Sequence, residues 1–324
     1  MTGRRAVLTA LLAAALPLRA APRRVRVYLL LPMAESPMDR GFRTTLEEAG
    51  LDAEFVVRET GLDPARIEAA VREARARGAD LVYAGSAALA RAAAGPAHGA
   101  DPARHLTDIP LVCATLSDPA DDGLEPRRQL LIAAGAAPLP EQLEAILAYR
   151  PFERIAVLTD ASLPLAAAGA ERLRAAAAAR NVHLIERNLP LTLRGEPATA
   201  SLPALMAVLV RQGAQLLYLG ADGWLQQRRH AIVDAALEQG LPTFACDGSL
   251  LRGGHALFGL TTQAATVGRL AAQHALRIVH DGPPAAAMPV LRPRRHLCLI
   301  NMPVAARLDL YPAMALLNRA ETVR

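Results

Sequence analysis

Six short segments combine glycine, hydroxyl and acidic residues in a way suited to holding a small charged molecule. They are 32–39 (PMAESPMD), 85–86 (GS), 115–119 (TLSDP), 159–162 (TDAS), 220–224 (GADGW) and 246–249 (CDGS). Each follows an aliphatic run and opens toward a helical stretch. The free N–H groups of a helix start, joined by a hydroxyl, receive a carboxylate or phosphate well. Ser86 is the best-placed hydroxyl of this kind, because Gly85 before it lets a ligand approach the backbone closely. Its plainer role is a helix N-cap. Ser36 and Ser162 are placed like it. The acidic residues Glu35, Asp118, Asp160, Asp222 and Asp247, together with Asp39, are candidates to meet an amine, although capping is the usual task of Asp at such positions. Trp224, the only tryptophan, is either a wall of the site or core packing. An anionic group at Ser86 and a cationic group at Asp160 or Asp222 would suit a zwitterion such as an amino acid.

Catalytic signatures are missing. The chain has no G-x-S-x-G elbow, no G-x-G-x-x-G after its first strand and, having no Lys at all, no P-loop lysine. Its eight His residues form no H-x-x-x-H or H-E-x-x-H pair, which leaves a zinc site without support. None of them falls at an expected strand end, so a serine hydrolase lacks its base. The reading is therefore a binding protein with no metal, no cofactor and no enzymatic reaction. Cys113 and Cys246 end strands and read as small buried hydrophobes, with a disulfide between them left open; with Cys298 they are too few for a disulfide scaffold.

Composition narrows the partners. The formal charge is +5, and Arg4, Arg5 and Arg19 in the first 20 residues leave only +2 on the remainder. The other arginines are scattered, and five Phe, five Tyr and one Trp offer few stacking platforms, so nucleic acid is excluded. Residues 1–20 (MTGRRAVLTALLAAALPLRA) combine a basic start, an apolar stretch and small residues at the end. That order reads as a cleaved signal peptide, with export to the periplasm by the general or, given Arg4-Arg5, the twin-arginine route.

The elements that must position these loops alternate. Strands are expected at 25–31, 53–58, 80–84, 109–114 and 129–133, then at 154–159, 182–187, 215–219, 242–245, 257–260 and 296–301. Helices are expected at 38–50, 64–78, 87–94, 140–149, 165–180, 202–213, 225–240 and 263–280. Gly50, Gly78, Gly213 and Gly240 mark helix ends, where left-handed geometry favours glycine. Strand–helix alternation predicts parallel sheets covered on both faces. The pattern restarts near Arg154, so the fold class is α/β, with two doubly wound Rossmann-like lobes. Ligands in such sheets gather at the carboxyl ends of the strands, where the six loops lie.

These pieces resemble the substrate-binding proteins of ABC transporters, in particular the tryptophan/tyrosine-type members with a type I periplasmic binding fold. Residues 85–90 (GSAALA) resemble that family's helix start. Residues 109–112 (IPLV) followed by 117–124 (SDPADDGL) are similar to its IPVVF…DPVAAGLV stretch. Residues 267–273 (VGRLAAQ) and the tail 299–312 (LINMPVAARLDLYP) match its later helix and its LVINLKAAKKLGLTIP segment. The resemblance implies two lobes joined by a three-stranded hinge: 25–137 plus 263–282 in lobe one, 138–262 plus 283–324 in lobe two. It also implies a small ligand bound by hinge closure, an inner-membrane ABC permease as partner and a monomer as the working unit. A sensory module partnered by a signalling protein or an outer-membrane receptor is the alternative. The family's GGNVTG is replaced by 126–135 (PRRQLLIAAG), and its YNPSEPNS by 158–164 (LTDASLP), so the ligand contacts differ.

Overall fold

The computed structural model describes residues 24–160, 163–189, 198–220, 228–284 and 286–324. The proposed leader at 1–20 and the candidates Ser162, Asp222 and Trp224 lie outside the described residues. Among the described residues no helix is long and apolar enough to cross a membrane.

Two sheets organise the chain. The first has five parallel strands in the order β2-β1-β3-β4-β5, with β1 Val25–Leu31, β2 Ala53–Glu59, β3 Leu81–Ala84, β4 Leu111–Thr115 and β5 Leu130–Ala134. Every residue of β3, β4 and β5 is buried, as expected of aliphatic strands covered on both faces. Helices α1 Pro37–Glu48, α2 Pro64–Ala76 and α3 Ala87–Ala94 connect the first four strands. α1 opens with a capping box, in which Ser36 and Asp39 satisfy each other's backbone amides, and α2 opens on Asp63 followed by Pro64.

The second sheet has seven strands in the order β12-β11-β10-β9-β8-β6-β7: β6 Arg154–Thr159, β7 His183–Asn188, β8 Leu216–Leu219, β9 Thr243–Ala245, β10 Phe258–Thr261, β11 Leu297–Asn301 and β12 Glu321–Val323. It is parallel except where β11 runs against β10. Around it lie α4 Leu139–Tyr149, α5 Pro164–Ala178, α6 Leu202–Arg211, α7 Arg229–Glu238, α8 Gly248–Arg252, α10 Met302–Arg307 and α11 Met314–Leu317. The helix expected at 225–240 is described from Arg229 onward. The four glycines read as helix stops all have positive φ.

Helix α9, Ala264–Asp281, follows β10 of the second sheet but packs on the first, against α1, β4 and β5. Two glycines permit that approach: a Cβ on Gly268 would stand 1.9 Å from the Met38 carbonyl oxygen, and one on Gly41 2.6 Å from that of Ala265. The chain after α9 also stays with the first sheet. Leu291 exchanges backbone hydrogen bonds with Ile132 and Ala134, and Met288 and Val290 pack on the first-sheet cores. The return to the second sheet thus follows Leu291 rather than residue 282, because this short segment extends the edge beyond β5. The chain passes between the sheets near 135–138, 261–264 and 292–296. These passages are tied together: Thr262 Oγ1 donates to the Gly135 carbonyl at 2.8 Å, and Arg292 donates to the Ala136 carbonyl at 2.7 Å.

Candidate functional site

The carboxyl ends of both sheets face one another across a cleft that holds two adjoining cavities. The first, about 520 Å³, is lined from one side by Gly85, Ser86, Thr115 and Ser117, and from the other by Arg229, Cys246, Asp247 and Ser249. The second, about 400 Å³, lies against β6, β8 and α5 and is walled largely by Leu139, Val157, Leu163, Leu165, Leu173 and Tyr218. Ala88 and Asp122 line both.

Ser86 caps α3, its Oγ accepting from the Leu89 amide at 3.2 Å, while it lines the first cavity. Gly85 is required there for a reason internal to the protein, since a Cβ would come within 2.6 Å of Asp39 Oδ1. Asp39 is buried and engaged, accepting from Tyr83 Oη at 2.8 Å and from the Ser36 hydroxyl at 2.7 Å. On the loop after β4, Thr115 Oγ1 and Ser117 Oγ stand 2.6 Å apart, and Ser117 Oγ also donates to Asp122. Asp122 and its neighbour Asp121 are held above the usual carboxylate range, first of all by burial. Across the cleft Arg229, only 5% exposed, lies 3.5 Å from Asp247, which caps α8 and accepts from Ser249 Oγ at 2.8 Å.

The other expected site residues fall elsewhere. Glu35 and Ser36 line neither cavity: Glu35 pairs with Arg43, and Ser36 is spent on the α1 cap. Asp118 is held by Arg292 at 2.9 Å and caps its own turn through the Ala120 amide, so it braces the passage between the sheets. Asp160 is buried at the end of β6 and lines neither cavity. Sequence reasoning missed Thr115, Ser117, Asp122 and Arg229 as lining residues. The first two stood within the segment 115–119 already marked as a strand end, but nothing distinguished Arg229 among the arginines. Cys246 and Cys113 are free thiols; Cys246 donates to Gln142 Oε1 at 3.2 Å, and burial pushes the Cys113 thiol far up.

The lobes also touch across the cleft. Asp121 pairs with Arg172 of α5, and Gly123 faces Leu165, where an added Cβ would meet a methyl at 3.0 Å. No group of His, Cys, Asp and Glu among the described residues is arranged to hold a metal ion.

The sequence matches no known protein-family profile, and no curated protein matches it either. Solved structures do align over nearly the whole chain. A conserved domain protein from Vibrio cholerae aligns over 93% of this chain and 100% of its own, with 18% identity and a TM-score of 0.71. A substrate-binding protein with adhesive properties from Clostridium difficile, in its ligand-free open form, covers 93% and 99% at 18% identity and TM-score 0.70. An ABC domain from Streptococcus pneumonia in complex with L-Trp covers 93% and 100% at 16% identity and TM-score 0.69. The chain has the type I periplasmic binding fold. Two α/β lobes with parallel-dominated sheets, joined by several passages, are what this chain shares with those proteins.

Proposed function

We propose that this chain is an exported solute-binding protein of an ABC-type uptake system, taking a small polar ligand in the cleft between its lobes. The observation that carries the reading is the cleft itself, where hydroxyls of the first lobe and a buried arginine of the second face one shared space. Neither lobe alone offers both sets of contacts. A ligand touching both would therefore favour the approach of the lobes by its differential affinity for that arrangement, with motion about the passages at 135–138, 261–264 and 292–296. Two of the structural neighbours, a substrate-binding protein and an ABC domain in complex with L-Trp, support a small-molecule ligand. The signal-like order of residues 1–20 supports export, with an inner-membrane permease as partner and a single chain as the working unit. A sensory module has the same fold, but no described residue favours it.

A thermal-shift screen against amino acids, organic acids and sugars tests the binding reading. Saturation at 100 times Kd adds about 2.7 kcal/mol, enough to raise the melting temperature of a chain this size by several degrees. A protein whose melting point no member of the panel moves would count against it. Genes for a permease and an ATPase beside this one are expected for transport, and a signalling gene in their place would favour the sensor.

A further inference from the structure

Three large apolar side chains stay open to solvent at the cleft. Leu163 and Leu165, 40% and 39% exposed, line the cavity beside α5, and Leu116, 46% exposed, lies beside the adjoining one. Exposed leucines in a concave site favour a ligand whose own apolar surface covers them. Polar members of the α5 cavity already serve the protein. Thr159 Oγ1 donates to Asn188 at 3.0 Å, Arg91 to the Asp122 carbonyl at 2.7 Å, and Tyr218 Oη to Gln142 at 2.7 Å. A space of about 400 Å³ with such walls suits a ring or a branched chain.

Asp122 stands where this space meets the polar one, since it lines both cavities. The turn that carries it holds three carboxyls with different engagements. Asp118 is paired with Arg292 at 2.9 Å, and Asp121 with Arg172. Asp122 instead accepts from Ser117 Oγ through its Oδ2, which fixes how the carboxyl is turned. Its Oδ1 has no hydrogen-bond partner among the described residues and is open to solvent. A carboxylate accepts through both oxygens, so the bond to Ser117 leaves room for a second donor. Burial, first of all, holds this carboxyl above the usual range; Asp121 and Asp118 add to the rise, while Ser117 and Arg91 oppose it. A donor brought by a ligand would replace hydration that the fold has taken away.

We propose that Asp122 receives a hydroxyl or ammonium group of the solute, and that the apolar body next to that group lies in the cavity between α5 and the β6–β8 edge. This deepens the solute-binding reading and rests on it. The solute is then an amphipathic molecule with a hydrogen-bond donor at one end of a ring or branched chain. Ser117 is a positioning residue, holding the carboxyl toward the junction, and Ala88 beside it leaves room for one molecule to reach both cavities. Specificity comes from two places at once: an acceptor at the junction and excluded water beside α5.

Calorimetric titration at neutral pH with three compounds sharing one ring tests this: phenethylamine, phenethyl alcohol and phenethyl methyl ether, the last lacking a donor. The expected result is binding of the amine, the alcohol or both, with the ether at least tenfold weaker. Asp122→Ala should weaken the compound that binds best at least tenfold, and Asp122→Leu should bring the ether level with it. Leu163→Ser, which makes the α5 wall polar at an exposed position, should weaken that same compound at least threefold without lowering the melting point. An ether that binds the wild type as tightly as the amine and the alcohol would overturn the proposal. So would an unchanged affinity in folded Asp122→Ala or folded Leu163→Ser, or no binding of any of the three by the wild type. Native mass spectrometry of protein from its host separates the two levels. A retained small molecule in a protein that ignores all three compounds removes this proposal and leaves the solute-binding reading, whereas a bare chain that also fails the thermal-shift screen removes both.

Discussion

Ser86 carries two tasks that substitution can separate. Its hydroxyl caps α3 through the Leu89 amide and also faces the cleft. If it contacts the ligand as well as the helix, Ser86→Ala weakens binding by about tenfold, the loss of one charge-assisted hydrogen bond of roughly 1.5–3 kcal/mol. Titration with the compound found by the thermal-shift screen reads this directly. Unchanged affinity with a slightly lower melting point would leave Ser86 a cap alone. His274 makes a second prediction. It is wholly buried on α9, with Nε2 3.3 Å from the Ile132 carbonyl, and burial, aided by Arg277, lowers its pKa to about 4. The neutral ring is thus the native form, and the unfolded chain takes up the proton first. Stability is complete above pH 6.5 and falls as pH drops toward 4, by up to about 3 kcal/mol for this group. Urea unfolding at pH 7 and pH 4.5 should show a smaller loss in His274→Gln than in wild type; an equal loss would place the acid sensitivity elsewhere. At this scale the sequence was readable where a residue's neighbours define its role. Gly85-Ser86 after an aliphatic strand and Asp247 before a helix both line the cleft. Arg229 was not readable, because its meaning comes from the opposing lobe and no local pattern marks it.

Between elements, the tightest constraint is where α9 crosses α1. At Gly268 an added Cβ would meet backbone atoms of Met38 and Phe42, which cannot rotate away as a side chain can. Gly268→Ala should therefore force the helices apart and destabilise the protein by about 1–3 kcal/mol or more, as overpacking does. Gly253→Ala, whose nearest neighbour lies at 3.7 Å, is the control and should change little. Equal urea midpoints for the two variants would contradict this account of the crossing. The longer elements were legible because their periodicity and stops agree. The runs at 25–31 and 154–159 form strands over those same residues, and Gly50 and Gly78 end helices with positive φ. The missed elements are short: α8 has five residues, α10 six, α11 four and β12 three. Such lengths hold too little periodicity to read and are fixed by tertiary contact, as β12 is by pairing along β11.

For the whole molecule, a ligand in the cleft would add to the Asp121–Arg172 pair and to the approach of Gly123 to Leu165, which are direct contacts between the lobes. The Asp121–Arg172 pair links them with Arg172 about one-third exposed, which places its contribution within about 1 kcal/mol. Arg172→Ala should shift the balance toward separated lobes and weaken ligand binding by up to about fivefold without removing a lining residue. Small-angle scattering should then show a larger radius of gyration for the unliganded variant than for wild type, and identical radii would show that the pair does not set the balance. Two lobes could be read from a sequence pattern that starts twice. The apolar cavity could not, because its walls come from α4, α5, β6 and β8 and meet only when the second sheet is folded. The central claim is that this cleft holds a small organic molecule, and native mass spectrometry of wild type and Ala88→Trp, both purified from the host, tests it most directly. Ala88 lines both cavities, so tryptophan there fills the passage between them. The account predicts one retained small molecule per wild-type chain and none in folded Ala88→Trp. A bare mass for the wild type, or the same adduct on both proteins, would contradict it.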